Sequence, residues 1–363
     1  MCLLMGTGGT ALGYKYRPRL EVSFGRNGNM TPHQYIERRS GRVVDERFFG
    51  DHWVAQLYGP VREHAPALFR LCTQARLSAV LGWLQFDLPG TVTGARAVLK
   101  IARSMGISLT ECVDPPEAFT SMRKLFERRI RYAKCRPMSD APGEVVSPAD
   151  ARVIAGRLDE TDLFFIKEKF FTLPELFGAR AARWCPAFAG GKFAIFRLTP
   201  DKYHYNHVPV SGTVLDIFEV DGCYHSCNPG AVMQVASPFA KNKRVVTILD
   251  TDVPGGTQVG KVAMIEVVAL MIGRIEQCYS AQDYDAPQPV EPGMFLVRGQ
   301  PKSMYRPGSS TDLLLFQAGR IRFSADLLAN RRRTDVRSRY ALGLGETAVE
   351  TDLDVRETIA CRV

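Results

Sequence analysis

RGQPKSMYRPGSSTDLLLF, residues 298–316, is the stretch on which the reading of this 363-residue chain turns. Its end, Leu313-Leu314-Leu315-Phe316, reads as a buried strand anchored in an apolar layer. Ahead of that strand Pro307-Gly308 forms a turn, in which Gly308 can adopt backbone angles closed to other residues. Ser309, Ser310 and Thr311 lie between turn and strand. A peptide bond pinned there can be held close to an attacking group, and the hydroxyl of Ser310 has the carbonyl of Ser309 for a neighbour. By itself GSST is turn chemistry, so its meaning depends on the rest of the chain.

Outward from this stretch the sequence is rich in short Val/Ile/Phe runs separated by Gly, Pro and Asp. VVSPADARVIAG, LFFIKEKFF, FAIFRLTP, HVPVSGTVLDIFEVDG, RVVTILDTDV, KVAMIEVVALMIGRIEQCY and DLLLFQAGRIRF all read as strands. Before Pro142-Gly143 the character differs. Thr31 opens with a helix-start signal, followed by a turn at Ser40-Gly41 and further helical spacing. Pro66–Gly82, Thr91–Met105 and Phe119–Lys134 carry helical periods with basic residues interspersed. The expectation is an α+β chain, with a basic, mostly helical region over residues 1–140 and a β-rich domain over 141–363. The sequence assigns no role to the tail after Asn330.

Composition narrows the classes. Hydrophobic content of 45% and charged content of 23% are those of a globular protein. Residues 1–140 hold 21 Lys and Arg against 12 Asp and Glu, the whole of the +9 net charge, and the remainder is balanced at 26 against 26. A basic first part suits an anionic surface. No nucleic-acid module or aromatic-basic stretch accompanies it, so a phospholipid surface is the expected partner and nucleic acid is not. The basic amphipathic helices satisfy either a membrane interface or packing on the β-rich domain. Nine scattered cysteines form no CxxC pair, which argues for reduced thiols and against a zinc ribbon. The start, MCLLMGTGGT, lacks a basic n-region and does not read as a signal peptide. No apolar run reaches the ~18 residues of a membrane span. Peripheral attachment at the cytoplasmic face of the cell membrane, or a cytoplasmic location, follows as an expectation.

The densest polar cluster is DKYHYNHVPVSG, residues 201–212, which holds two of the six histidines, His204 and His207. No HExxH or Cys-rich partner turns them into a metal site, so no metal is expected. A histidine of ordinary pKa near 6.5 is suited to taking a serine proton at neutral pH. SPAD, residues 147–150, adds a carboxylate at a turn. An Asp that orients a His that deprotonates a Ser is a recurring arrangement on unrelated folds, and Asp150, His207 and Ser310 can supply those roles.

Six segments, in order, resemble those of the phosphatidylserine decarboxylases, pyruvoyl enzymes made from a proenzyme that cuts itself. SPADARV resembles SPADGRV, and FFIKEKFFTLPELFG resembles I-K-G-K-x-Y-x-L-x-x-L-L-G. DKYHYNHVPVSG is similar to D-Y-H-R-F-H-x-P-V-x-G, with Tyr205 and Asn206 in place of the Arg and the aromatic. YHSCNP resembles Y-S-V-N-P, KNKRVVTILDTD the N-x-R-V-V segment, and VAMIEVVALMIGRI the run V-A-x-V-x-V-G-A-x-x-V-G-S-I. GSST aligns with the GGST or LGST cleavage site, and counting back from Phe316 in G-S-T-V-x-L-L-F selects Ser310 as the residue converted. The likeness runs from about Ile36 to Phe316.

What the resemblance implies is as follows. Asp150 orients His207, which takes the Ser310 proton, and the oxygen attacks the Ser309 carbonyl to turn amide into ester. Elimination leaves dehydroalanine at 310, and hydrolysis gives a covalent pyruvoyl group derived from Ser310, with release of ammonia. The chain becomes a long piece, 1–309, and a short piece, 310–363, which stay bound. The ketone accepts the substrate's amine and draws off the electrons freed as carbon dioxide leaves, with His204 handling protons. The implied reaction takes phosphatidylserine to phosphatidylethanolamine. A soluble amino acid as substrate, or a non-catalytic membrane-surface homologue, are the alternatives, and a homodimer is compatible with all of these.

Overall fold

The computed structural model describes residues 32–48, 51–74, 94–158, 171–235, 238–270, 274–308, 310–341 and 347–363. Among them the strands in chain order are β1 Gln34–Glu37, β2 Val43–Asp45, β3 Glu144–Val146, β4 Ala151–Arg157, β5 Lys192–Leu198, β6 Tyr205–His207, β7 Gly212–Val220 and β8 Arg244–Asp250. They continue with β9 Lys261–Val268, β10 Ile275–Gln277, β11 Phe295–Leu296, β12 Pro301–Tyr305, β13 Ser310–Phe316, β14 Ile321–Phe323, β15 Glu350–Leu353 and β16 Thr358–Arg362. A ten-stranded sheet runs β11-β7-β8-β9-β13-β5-β4-β15-β1-β2, and two three-stranded sheets run β10-β12-β6 and β14-β16-β3. The fold is α+β.

The apolar run that opened the reading is an interior strand of the large sheet. Every residue of β13 is paired antiparallel to β5 on one side and to β9 on the other. Both of its faces are covered, which is why its sequence does not alternate. Leu314 and Phe316 point into a core shared with Val145, Ile321, Phe323 and Ile359 of the small sheet β14-β16-β3 and with Tyr305 of β12. Leu313 and Leu315 point the other way, into a core roofed by the helices Leu173–Phe177, Ala181–Phe188 and Pro229–Gln234. The molecule is thus three layers deep about β13. The tail acquires a role as well. β15 lies between β4 and β1, and β16 between β14 and β3, so residues 310–363 are interleaved with the preceding chain in two sheets.

The N-terminal expectation needs two corrections. The segment after Thr31 forms a β-hairpin: β1 pairs antiparallel to β2, with Gly41 at φ +70° in the turn expected at Ser40-Gly41. Tertiary pairing overrides the helical spacing, because β1 also lies parallel to β15. The large sheet therefore crosses residue 140. Of the expected helices, Pro66–Cys72 and Ala95–Ser104 are present. Phe119–Lys134 is not one helix but two short ones, Met122–Phe126 and Tyr132–Cys135. The chain opens between them so that Ile130 can bridge to Cys112 and bond the Tyr284 hydroxyl. The end of the Pro66–Gly82 run, and most of LFFIKEKFF, lie outside the described residues. No described helix is long and apolar enough to cross a membrane.

Candidate active site

Ser310 is the first residue of β13, where the chain crosses from the small sheet β10-β12-β6 to the large one. The crossing takes four residues after Tyr305, the last of β12, and Gly308 within it has φ +149°, a conformation side chains rarely adopt. Ser309 lies outside the described residues. The Ser310 side chain is fully buried, and its hydroxyl has no hydrogen-bond partner among the described residues. A buried hydroxyl left unbonded is costly, so its freedom here needs a chemical reason.

His204 stands at the lead-in to β6, and its carbonyl accepts the Tyr305 amide at 3.0 Å, which ties it to the strand running into the crossing. Its Nδ1 donates to the Lys202 carbonyl at 2.8 Å. That bond requires the proton on Nδ1, so the neutral ring carries its lone pair on Nε2. Nε2 is buried and unpartnered. Phe126 stacks on the ring at 3.7 Å between centroids. Burial, helped by the nearby Arg128 guanidinium, pushes the imidazole down to about 3, so the lone pair is available across the physiological range.

His207 is held differently. Its Nδ1 donates to the Gly299 carbonyl at 2.8 Å and its Nε2 meets the Tyr203 hydroxyl at 3.0 Å. Burial lowers it to about 3 as well. A neutral ring bonded through Nδ1–H must accept at Nε2, so the Tyr203 hydroxyl donates to it; Tyr203 also meets the Tyr284 hydroxyl at 2.7 Å, which accepts the Ile130 amide at 3.2 Å and lies 2.9 Å from the Ile130 carbonyl.

Asp150 does not make the hydrogen bond to His207 that the triad logic calls for. Arg136 grips its carboxylate with two bonds, at 3.0 and 2.9 Å, and the Val355 amide adds a third at 2.8 Å. Burial would raise this carboxyl, but Arg136 overrides it and holds it below the usual range. The two residues are neighbours all the same, since the His207 amide donates to the Pro148 carbonyl at 2.7 Å. Beside Asp150 opens a polar cavity of about 170 Å³, lined among others by Arg128, Arg136, Lys202 and Tyr203.

Residues that sequence reasoning did not single out complete the site. Between the large sheet and β10-β12-β6 lie Glu266 of β9, Asp312 of β13, Lys302, Ser303 and Tyr305 of β12, and Asn206 of β6, all buried. Glu266 receives Lys302 at 2.7 Å, Gln277 at 3.0 Å, Asn206 at 3.3 Å and the Ser303 hydroxyl. A charge inside an otherwise apolar strand, as in VAMIEVV or STDLLLF, was the available signal. That these charges meet across separate strands could not be read from either stretch.

A model of the phosphatidylserine decarboxylase family matches residues 122–341, which contain Asp150, His204, His207 and Ser310. The chain belongs to the phosphatidylserine decarboxylase family. This is a family of carboxy-lyases, and the resemblance drawn from six segments is borne out. The chain is 31% identical over 300 residues to the phosphatidylserine decarboxylase proenzyme of Chlamydia pneumoniae, an alignment covering 82% of this chain and 92% of that one. It is 27% identical over 302 residues to the proenzyme of Fusobacterium nucleatum, covering 82% and 91%. To phosphatidylserine decarboxylase proenzyme 2 of rice it is 32% identical over 260 residues, 70% of this chain but only 39% of that longer protein.

Proposed function

We propose that this chain is a self-cleaving, pyruvoyl-dependent decarboxylase that converts phosphatidylserine to phosphatidylethanolamine and carbon dioxide. The observation that carries the reading is that Ser310 Oγ and His204 Nε2 are both buried and unbonded among the described residues, with the His204 carbonyl tied to Tyr305, five residues before Ser310. Family membership supplies the reaction class, and the names of the relatives supply the substrate. In the cut, the Ser310 oxygen bonds to the preceding carbonyl carbon as the C–N bond breaks. The proton passes from Oγ through a histidine to the departing nitrogen. Loss of the Cα proton then expels Ser309 as a carboxylate, and water converts the residue left at 310 into a ketone and ammonia.

The geometry favours His204 as the acceptor of the Ser310 proton, since its lone pair is free, whereas His207 must first lose the Tyr203 hydroxyl. His207 and Asp150 then act on position, His207 through its bond to the loop carbonyl of Gly299 and Asp150 through Arg136 and Val355. The unbonded Ser310 hydroxyl fits a residue destined for conversion, and the pyruvoyl group would supply an electron sink for the bond to carbon dioxide. Around it the protein contributes a dry enclosure and a fixed strand. The two pieces, 1–309 and 310–363, remain one body because β13 and β15 sit between strands of the long piece and β16 pairs with its β3. A phospholipid surface is the proposed site of action.

Denaturing electrophoresis of purified variants tests this. Ser310→Ala is expected as one uncut chain with no carbon dioxide release from phosphatidylserine vesicles. His204→Ala is expected to cut far more slowly than His207→Ala; the reverse order would return the base to His207. Release of carbon dioxide from free amino acids, but not from vesicles, would replace the lipid with a soluble substrate.

A further inference from the structure

The inter-sheet cluster holds two carboxyl groups and one ammonium. Glu266 and Asp312 are directly opposite each other on adjacent strands, and Lys302 goes to Glu266 at 2.7 Å. Among the described residues Asp312 receives only the Tyr305 hydroxyl, at 2.7 Å on Oδ1, and its Oδ2 is buried with no partner. Asn206 spends its amide N–H groups on Glu266 and Ser303, at 3.3 and 3.1 Å, which leaves its Oδ1 buried and unpartnered too. The cluster is therefore one cation short and has two open oxygen atoms. Both belong to residues at which this chain departs from the family pattern: Asn206 replaces an aromatic residue and Asp312 a valine.

Position relates this gap to the reaction. Residues two apart on a strand share a face, so Asp312 lies on the face of Ser310, roughly 6.6 Å further along at a strand rise of about 3.3 Å per residue. The groups facing Asp312 are Glu266 from β9 and Lys302 and Tyr305 from β12; β5 presents Phe196 opposite it. Without a second cation, burial and the Glu266 charge push the Asp312 carboxyl well above the usual carboxylate range.

We propose that Asp312 and Asn206 form the socket for the substrate's primary amine beside residue 310. The inference rests on the pyruvoyl reading and adds the residues that deliver the nucleophile. An entering ammonium supplies the missing cation. Asp312 gives its proton to solvent and pairs with the ammonium, while Asn206 Oδ1 accepts a second N–H. One N–H bond then breaks, its electron pair stays on nitrogen, and the proton returns to the Asp312 carboxylate. The net change is an ammonium from solution converted to a bound free amine with one proton released.

The test uses the cut enzyme with cyanoborohydride and saturating 2-aminoethanol, since binding releases a proton and only the filled socket is pH-independent, reading the adduct on the short chain by mass spectrometry from pH 7 to 9. Wild type is expected to trap amine at a rate changing less than about threefold over that range, because the socket supplies the free base. Asp312→Asn is expected at least tenfold slower at pH 7, with the deficit closing toward pH 9 as free amine accumulates in solution. Asn206→Leu should raise the amine concentration for half-maximal trapping several-fold while leaving the pH profile flat. A wild-type rate that climbs about tenfold per pH unit overturns the proposal whatever the variants do. So does an Asp312→Asn deficit that is absent, or equal at pH 7 and 9, as a merely structural role would give. A wild-type chain that is uncut, or cut but never trapped, removes the ketone itself and this inference with it.

Discussion

Two buried ionic clusters border β13 and its neighbours, and they differ in how completely their charges are matched. On the side of β1, β5 and β15, Glu46 and Glu350 meet Arg197 and Arg152, with His33 bonded to Glu350 at 2.8 Å. Arg197 forks onto both carboxylates, and Arg152 lies over the Tyr35 ring at 3.8 Å. His33, Glu46 and Glu350 converge as metal ligands would, but the guanidiniums already fill that role. On the other side, Glu266, Lys302, Asp312 and Asn206 leave oxygens open beside Ser310. A matched cluster holds strands in register, whereas an unmatched one keeps its valence for something that arrives. Breaking each should therefore fail in a different way.

The largest effect is expected at the crossing itself. Ser310→Ala removes the cut and with it all turnover, while the fold, seen by circular dichroism, stays intact. His204→Ala should slow the cut by roughly 10²–10⁴-fold, the usual size of a lost general base, timed by the appearance of the short chain. Next comes the matched cluster. Glu350→Gln leaves buried guanidinium charge short of a partner and should cost about 3–5 kcal/mol in urea unfolding, with cutting in the surviving folded fraction unchanged. An unchanged midpoint would dissolve the distinction between the clusters.

The smallest effect carries the opposite sign. Asp312→Val exchanges an underbonded acid for the residue of the family pattern and should stabilise the chain by roughly 1–3 kcal/mol, while amine trapping falls. The pH dependence sharpens this. His204 and His207 titrate near 3 in the fold against 6.5 outside it, so the stability they contribute is present above 6.5 and is lost as pH falls toward 3. Asp312 is raised, so its contribution is present below 3.8 and fades as pH rises above it. The variant should gain more at neutral pH than in acid, where only the cost of the underbonded neutral carboxyl is left. An equal gain at both would make Asp312 an ordinary buried side chain.

How much of this was legible follows from locality. The apolar run of β13, the turn before it and the β-rich domain are properties of contiguous residues, and contiguous residues reveal them. The β1–β2 hairpin was misread because its pairing partner, β15, lies more than 300 positions away, and the tail was silent for the same reason. Ser310 and both histidines could be singled out by residue type and by resemblance. The state of each histidine could not, since it depends on which carbonyl each Nδ1 finds. Asp150 was legible as a carboxylate at a turn, but not as the partner of Arg136, because that choice is made by a helix from the basic region.

The central claim is that this chain severs itself before Ser310 and turns that residue into a ketone. Denaturing mass spectrometry of the purified protein tests it most directly. The account predicts two chains, a long one ending in the Ser309 carboxylate and a short one beginning at position 310 that is lighter by one ammonia and gains hydride from borohydride. A single intact chain that still releases carbon dioxide from phosphatidylserine would contradict it.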